Sequence, residues 1–169
     1  MGKQNKARRQ TPDVRKTDEM IGTVMGTGRW PWGPGTAGAA VGLLLWCALA
    51  YTVSDYLVVT AITMVATIVV TFVSIKPITR LEQFWGPDPS KVVVDETVGV
   101  WVALLAVPAS REWYYAVLAF LLFRVMDIVK PLGCRWLDKN IHGGLGVMLD
   151  DVLAGIYAGL VLMVIHVIL

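Results

Sequence analysis

Cysteine is scarce in this chain. Cys47 and Cys134 are the only two in 169 residues, and they form no CxxC or other metal-ligand spacing. Cys47 falls inside an apolar run and Cys134 in a polar stretch, so the pair offers neither a disulfide framework nor a thiolate metal site. Both read as packing residues. Charge is thin as well. Asp, Glu, Lys and Arg make up 17% of the chain and hydrophobic residues 56%, with a mean hydropathy of +0.61. That balance excludes an ordinary soluble domain of this size. The first twenty residues lack the apolar core that a secretory signal needs. They carry Lys3, Lys6, Arg8, Arg9, Arg15 and Lys16 instead, which suits a flexible tail, either solvated or resting on anionic headgroups.

What remains is apolar and helical in pattern. Five hydrophobic stretches stand out, at about residues 37–53, 56–75, 97–107, 113–129 and 147–169. None alternates with period two, and open strands in lipid would leave backbone groups unpaired. A full crossing needs roughly 20 residues. The second and fifth stretches qualify, the first is marginal, and the third is short or partly re-entrant. Pro77, Pro87, Pro89, Pro108 and Pro131 all fall between stretches in this reading, where helices should stop. The expected fold is an all-α integral membrane protein, a compact bundle of about five membrane helices. Residues 1–25 form a basic cytoplasmic tail and residues 26–169 the membrane-embedded domain. The oligomeric state is not legible, and no nucleic-acid partner is expected.

Orientation follows from Lys and Arg. The N-terminal segment through Arg29 holds seven. The connection after the second stretch holds Lys76, Arg80 and Lys91, and that after the fourth holds Lys130, Arg135 and Lys139. The other two connections hold only Arg111. The N-terminus is therefore expected in the cytoplasm. On that map five acids collect at the cytoplasmic face: Asp95 and Glu96 opening the third stretch, Asp127 near the end of the fourth, and Asp150 and Asp151 in the first turn of the fifth. Carboxylates beside hydrocarbon are costly unless they are paired, bind metal or face water. Helix N-termini favour acids and C-termini favour bases, so Asp127 is the awkward member. Arg124 and Lys130 each lie about 60° around the axis from it, giving a wall that reads basic, acidic, basic.

Other polar features lie at the same face. His142 precedes the fifth stretch in NIHGGLG and is a candidate acid or phosphate partner; a loop-fixing role fits it equally well. Gly143, Gly144 and Gly146 lead into a helix N-terminus, an arrangement that suits anions. The turn GTGRWPWGPGTAG opens the first stretch, with Thr36 as N-cap, Trp30 and Trp32 as interfacial anchors and Arg29 within reach of a phosphate. His166 sits at the far end and reads as structural. Several carboxylates with bases and glycine-rich loops at headgroup depth suit a phosphorylated lipid headgroup with Mg²⁺. The metal would offset the acid charge and polarise a phosphoryl oxygen, while Arg and Lys bind non-bridging oxygens. Spacing alone does not separate hydrolysis from headgroup transfer.

The stretches VVVDETVGVW, FRVMDIVKP and RWLDKNIHGGLGVMLDDVLAG, in this order and spacing, resemble the bacterial phosphatidylglycerophosphatase A family, as does PGTAG. The similarity runs from about Gly26 to the C-terminus. The resemblance implies an Mg²⁺-dependent phosphatase of the bacterial inner membrane that converts phosphatidylglycerophosphate to phosphatidylglycerol. It implies functional roles for Asp95, Glu96, Arg124, Asp127, Lys130, Asp138, His142, Asp150 and Asp151. The expected metal ligands are Asp95, Glu96, Asp127, Asp150 and Asp151, with Glu96 as ligand or base. Phosphate would be held by Arg124, Lys130, Arg135 and Thr36. After KP the family usually continues with a proline-containing stretch, whereas this chain reads LGCRW. The DxDxT motif of soluble haloacid-dehalogenase phosphatases is absent.

Two rivals remain. A headgroup transferase would use the same Mg²⁺ chemistry, but the alcohol phosphatidyltransferase pattern DGxxAR…GxxxD…D does not occur. A small ion or proton carrier would line a path with acids, whereas these acids collect at one face.

Overall fold

The computed structural model describes residues 14–110, 112–131 and 133–168, and every regular element among them is helical. The order is α1 Lys16–Gly22, a 3-10 turn Thr27–Arg29, α2 Pro34–Thr52, α3 Tyr56–Trp85, α4 Val94–Leu104, α5 Trp113–Val129, α6 Cys134–Asn140 and α7 Gly144–Ile168. Each expected apolar stretch is a helix. Three of them, α2, α3 and α7, are long and apolar enough to cross a membrane. The 17 residues of α5 reach about 26 Å at 1.5 Å per residue, just under a hydrocarbon core about 30 Å thick.

The shortest of the five sits at the centre. Helix α4 has 11 residues and packs against α2, α3, α5 and α7. Val94, Asp95, Thr97, Val98, Gly99, Val100, Ala103 and Leu104 are all buried. Its apolar character therefore reflects a protein interior rather than contact with lipid. The outer helices carry an exposed apolar surface: Val58, Ile62, Val65, Ile68, Val69, Phe72 and Val73 of α3 are exposed, which is consistent with a face turned to lipid. Along α3 the hydroxyls of Thr60, Thr63, Thr67 and Thr71 donate to carbonyls four residues back, which satisfies these polar side chains within the helix itself.

Two boundaries differ from the sequence reading. Pro77 does not end a helix; it lies inside α3, buried, and the helix continues to Trp85. The basic and acidic residues after Ile75 decorate a helical extension instead of a loop. At 30 residues, α3 is about 45 Å long, longer than a hydrocarbon core about 30 Å thick. Helical structure also begins earlier than residue 25. Helix α1 packs on α3, pinned by Arg80 Nε and Nη2, which each donate to Asp18 at 2.6 Å. Those bonds hold the Asp18 carboxyl below its ordinary value of 3.8.

Lipid tails are as apolar as leucine, so helices in a bilayer associate through close packing and hydrogen bonds. Both occur around α4. A Cβ on Gly38 would lie 2.6 Å from the Val93 carbonyl oxygen, and one on Gly155 would lie 2.3 Å from that of Gly99. Thr97 Oγ1 donates to the Gly38 carbonyl at 2.9 Å and Trp101 Nε1 to the Gly42 carbonyl at 2.9 Å. These contacts fix the depth of α4 relative to α2 and α7, and α4 carries the first pair of acids.

Candidate metal and phosphate site

Helix direction gathers the acids. Gly35, in the first turn of α2, faces Glu96 in the first turn of α4 and Arg124 in the last two turns of α5. Gly144 opens α7 and donates its N–H to Thr79 Oγ1 near the end of α3 at 2.8 Å. At the opposite end, Tyr56 donates to the Val107 carbonyl at 3.1 Å, and Tyr115 pairs with His166 Nδ1 at 2.8 Å. His166 is thus a structural residue at the end remote from the acids.

Three of the five acids converge. Asp95, Glu96 and Asp151 each place one carboxylate oxygen within 4.8 Å of the others. Asp95 and Asp151 are buried and Glu96 is partly so. Among the described residues, Asp95 Oδ1, Glu96 Oε2 and Asp151 Oδ2 have no hydrogen-bond partner. Like charges this close repel, and burial removes the water that would screen them. The first-turn position of Asp95 and Glu96 brings some relief from the α4 dipole. Asp151 lacks that relief, because α7 starts at Gly144, earlier than the sequence reading had it, and Asp151 lies in its third turn rather than its first. Carboxylate oxygens converging in this way, each acid with an unpartnered oxygen, fit a hard divalent cation such as Mg²⁺.

The other two acids are ion-paired. Arg124 Nη1 donates to Asp127 Oδ2 at 2.6 Å, and Lys130 Nζ lies 2.6 Å from Asp150 Oδ2. The expected wall therefore separates. Arg124 stays with Asp127, while Lys130, in a left-handed conformation at the end of α5 with φ +48°, turns to α7 and takes Asp150. Asp127 and Asp150 remain electrostatic neighbours of Asp151, so both border the trio. Arg124 is only 17% exposed at its side chain, and its buried Nε has no partner among the described residues. This N–H suits an incoming anion. Cys134 packs under the Lys130–Asp150 pair, and burial there pushes its thiol up to about 11, as befits a packing residue. The side chains of Arg135 and Asp138, both on α6, lie outside the described residues, as does the basic segment 1–13.

Several expected contacts take other places. Thr36 is not the N-cap; Gly33 is, with φ +94° and Pro34 following. Thr36 is exposed and lines an apolar groove with Trp30, Trp32 and Ala40, one residue around the helix from the site-facing Gly35. Arg29 is paired with Glu19. The glycines in the first turn of α7 serve packing: a Cβ on Gly144 would lie 2.2 Å from the Ile75 carbonyl oxygen, and one on Gly146 would lie 1.9 Å from that of Ile141. The N–H of Gly144 is taken by Thr79, and that of Gly146 by the Gly143 carbonyl, which leaves those donors unavailable to an anion. His142 lines a cleft with Glu82 and Asp88, two residues ahead of α7.

Gly35 was the residue missed. A Cβ there would lie 2.2 Å from Glu96 Oε1 and 3.3 Å from Arg124 Nη1, so its missing side chain makes room for both site residues. The signal was present in PGTAGAAVG, where Gly35, Gly38 and Gly42 recur at helical spacing on the face that meets α4.

A family model described as phosphatidylglycerophosphatase A matches residues 20–166. The chain is 50% identical over 140 residues to a Bacteroides thetaiotaomicron protein named "Putative phosphatidylinositol-3-phosphatase", covering 82% of this chain and 87% of that one. It is 42% identical over 69 residues to phosphatidylglycerophosphatase A of Escherichia coli, covering 41% of this chain and 40% of the relative. It is 46% identical over 79 residues to phosphatidylglycerophosphatase A of Haemophilus influenzae, covering 47% and 48%. The match spans less than half the length of these last two relatives. No solved structure matches the chain.

Proposed function

The chain belongs to the phosphatidylglycerophosphatase A family, and from that premise we propose that it hydrolyses the terminal phosphate of phosphatidylglycerophosphate, giving phosphatidylglycerol and inorganic phosphate. The observation that carries this reading is the convergence of Asp95, Glu96 and Asp151 beside an arginine with an unpartnered Nε. Asp95, Glu96 and Asp151 would hold Mg²⁺. A bound Mg²⁺ supplies charge neutralisation and Lewis acidity at a phosphoryl oxygen. Arg124 binds a non-bridging oxygen through Nε, a charge-assisted contact that strengthens as charge builds on the phosphoryl group. Asp127 holds the guanidinium in place. Lys130 and Asp150 tie the end of α5 to α7, which keeps Arg124 and Asp151 in register. Water supplies the oxygen, the ester P–O bond breaks, and the headgroup alcohol leaves with a proton. The Lys and Arg bias supports a cytoplasmic position for the acidic end, in keeping with a bacterial inner-membrane protein.

A second reading takes phosphatidylinositol 3-phosphate as substrate, in line with the name of the Bacteroides relative. Both lipids are phosphate monoesters of a polyol headgroup. Phosphate release by purified protein in detergent, measured with each lipid separately, decides between them. The first reading expects at least about tenfold higher kcat/KM on phosphatidylglycerophosphate, a difference of about 1.4 kcal/mol in the barrier. Preference for the inositol lipid would establish the second, and release from neither would refute both.

A further inference from the structure

The start of α4 has no side-chain cap. Val93 precedes it as N-cap and its side chain makes no capping bond, while the first N–H groups of any helix lack an intrahelical partner. Asp95 and Glu96 stand two and three residues later, in the turn most prone to fray. They face Asp151, and like charges at that distance push the turn away from α7. The contacts around Val93 therefore decide whether the trio stays assembled.

Those contacts come largely from the segment ahead of α2. Val93 donates its N–H to the carbonyl of Gly22, the last residue of α1, at 2.8 Å. Gly28 packs against the Lys91 carbonyl so closely that no Cβ fits between them. Between these two points the chain is braced internally. Thr23 is buried; its Oγ1 donates to the Glu19 carbonyl at 2.7 Å and accepts from the Gly26 N–H at 2.9 Å. Its carbonyl accepts from the Gly28 N–H at 3.0 Å. Helix α1 and the turn after it form one stiff piece.

Asp18 ties that piece to α3. It is only 4% exposed and accepts from both Nε and Nη2 of Arg80, a two-pronged grip that fixes direction as well as adding attraction. Asp18 and Gly22 are four residues apart on α1 and share one helix face, so the carboxylate that grips α3 and the carbonyl that grips Val93 lie on the same side. Asp18 stands ahead of the span that matches the family, and the family name assigns it no role. We propose that Asp18 is a positioning residue of the metal site: with Arg80 it clamps α1 to α3, and through Gly22 and Val93 it holds Asp95 and Glu96 against Asp151. The inference rests on the reading of the trio as a divalent-cation site and adds a support from outside it.

The test uses Asp18→Ala and, as a milder change that keeps the fold, Arg80→Lys, which retains the charge and gives up the two-pronged grip. Three quantities are read in detergent: amide hydrogen exchange over residues 93–97, Mg²⁺ binding by calorimetry, and turnover. In Asp18→Ala the Val93 amide should exchange at least about tenfold faster with the α7 amides unchanged. The dissociation constant for Mg²⁺ should rise about tenfold, the lower end of the cost of losing a residue that orients metal ligands. KM for the lipid at saturating Mg²⁺ should stay within about twofold. Arg80→Lys should move exchange and Mg²⁺ affinity in the same direction by a smaller factor. Mg²⁺ affinity equal to wild type in both variants overturns the proposal. So does faster exchange spread evenly over all helices, the mark of a merely structural role. Wild-type protein that binds no Mg²⁺ would refute the cation reading itself, and Val93 exchange would then still show whether Asp18 holds the start of α4.

Discussion

Replacing Asp151 by Asn is expected to cut phosphate release by about a thousandfold or more, equivalent to about 4 kcal/mol of lost transition-state stabilisation, while leaving the protein folded. Asn keeps the shape of the side chain and removes its charge. In the wild type that charge faces Asp95 and Glu96 with one oxygen unpartnered, so without a cation the three repel. The account therefore predicts opposite movements of activity and stability. In EDTA, the thermal midpoint of Asp151→Asn should equal or exceed that of the wild type, because a repulsion has been removed. With Mg²⁺ the wild type should gain about 2.7 kcal/mol at a hundredfold excess over Kd, and the variant most of that less. Activity within a few fold of wild type would take Asp151 out of the mechanism. A variant destabilised in EDTA would show that Asp151 has a structural partner instead.

Gly155→Ala should be the most damaging single methyl addition between α4 and α7. Its Cβ would sit 2.3 Å from the Gly99 carbonyl oxygen and 2.8 Å from Val102 Cβ. The nearest atom is backbone and cannot swing away, so α4 must move. Overpacking of this kind typically costs about 1–3 kcal/mol. Here the displaced helix also carries Asp95 and Glu96, while Asp151 stays on α7, so the trio opens. Loss of activity should exceed about a hundredfold, since a displacement of about 1 Å at a catalytic site has that effect. Gly159→Ala is the matched control one turn along α7. Its Cβ would lie 3.3 Å from Ala106 Cβ and 3.8 Å from the Ala103 carbonyl oxygen, and turnover should stay within about threefold of wild type, the scale of the few tenths of a kcal/mol that a tolerated substitution costs. Equal effects of the two substitutions, read from phosphate release and thermal midpoint together, would contradict the packing account.

Composition made the long apolar helices legible, and the DE, D and DD placements made the acidic end legible. Helix polarity then carried most of the site, because helices that alternate in direction bring the start of one beside the end of the next. Pairing was not legible. Spacing put both Arg124 and Lys130 beside Asp127, but the left-handed turn at Lys130 sends it to Asp150, and no periodicity encodes that turn. The start of α7 was misplaced because Gly144 and Gly146 read as loop residues, whereas their lack of side chains lets the helix begin against the Ile75 and Ile141 carbonyls. Pro77 misled for a related reason. A proline removes one backbone donor, yet packing at a buried position keeps the chain helical to Trp85. The central position of α4 was likewise hidden, since an apolar helix enclosed by protein and one facing lipid have similar compositions.

The central claim is that Asp95, Glu96 and Asp151 hold a divalent cation on which hydrolysis depends. It is tested most directly by the initial rate of phosphate release from phosphatidylglycerophosphate by purified protein, first in EDTA and then with Mg²⁺ titrated back. The account predicts no release in EDTA and a saturable return of activity with Mg²⁺. Full activity after exhaustive chelation would contradict it.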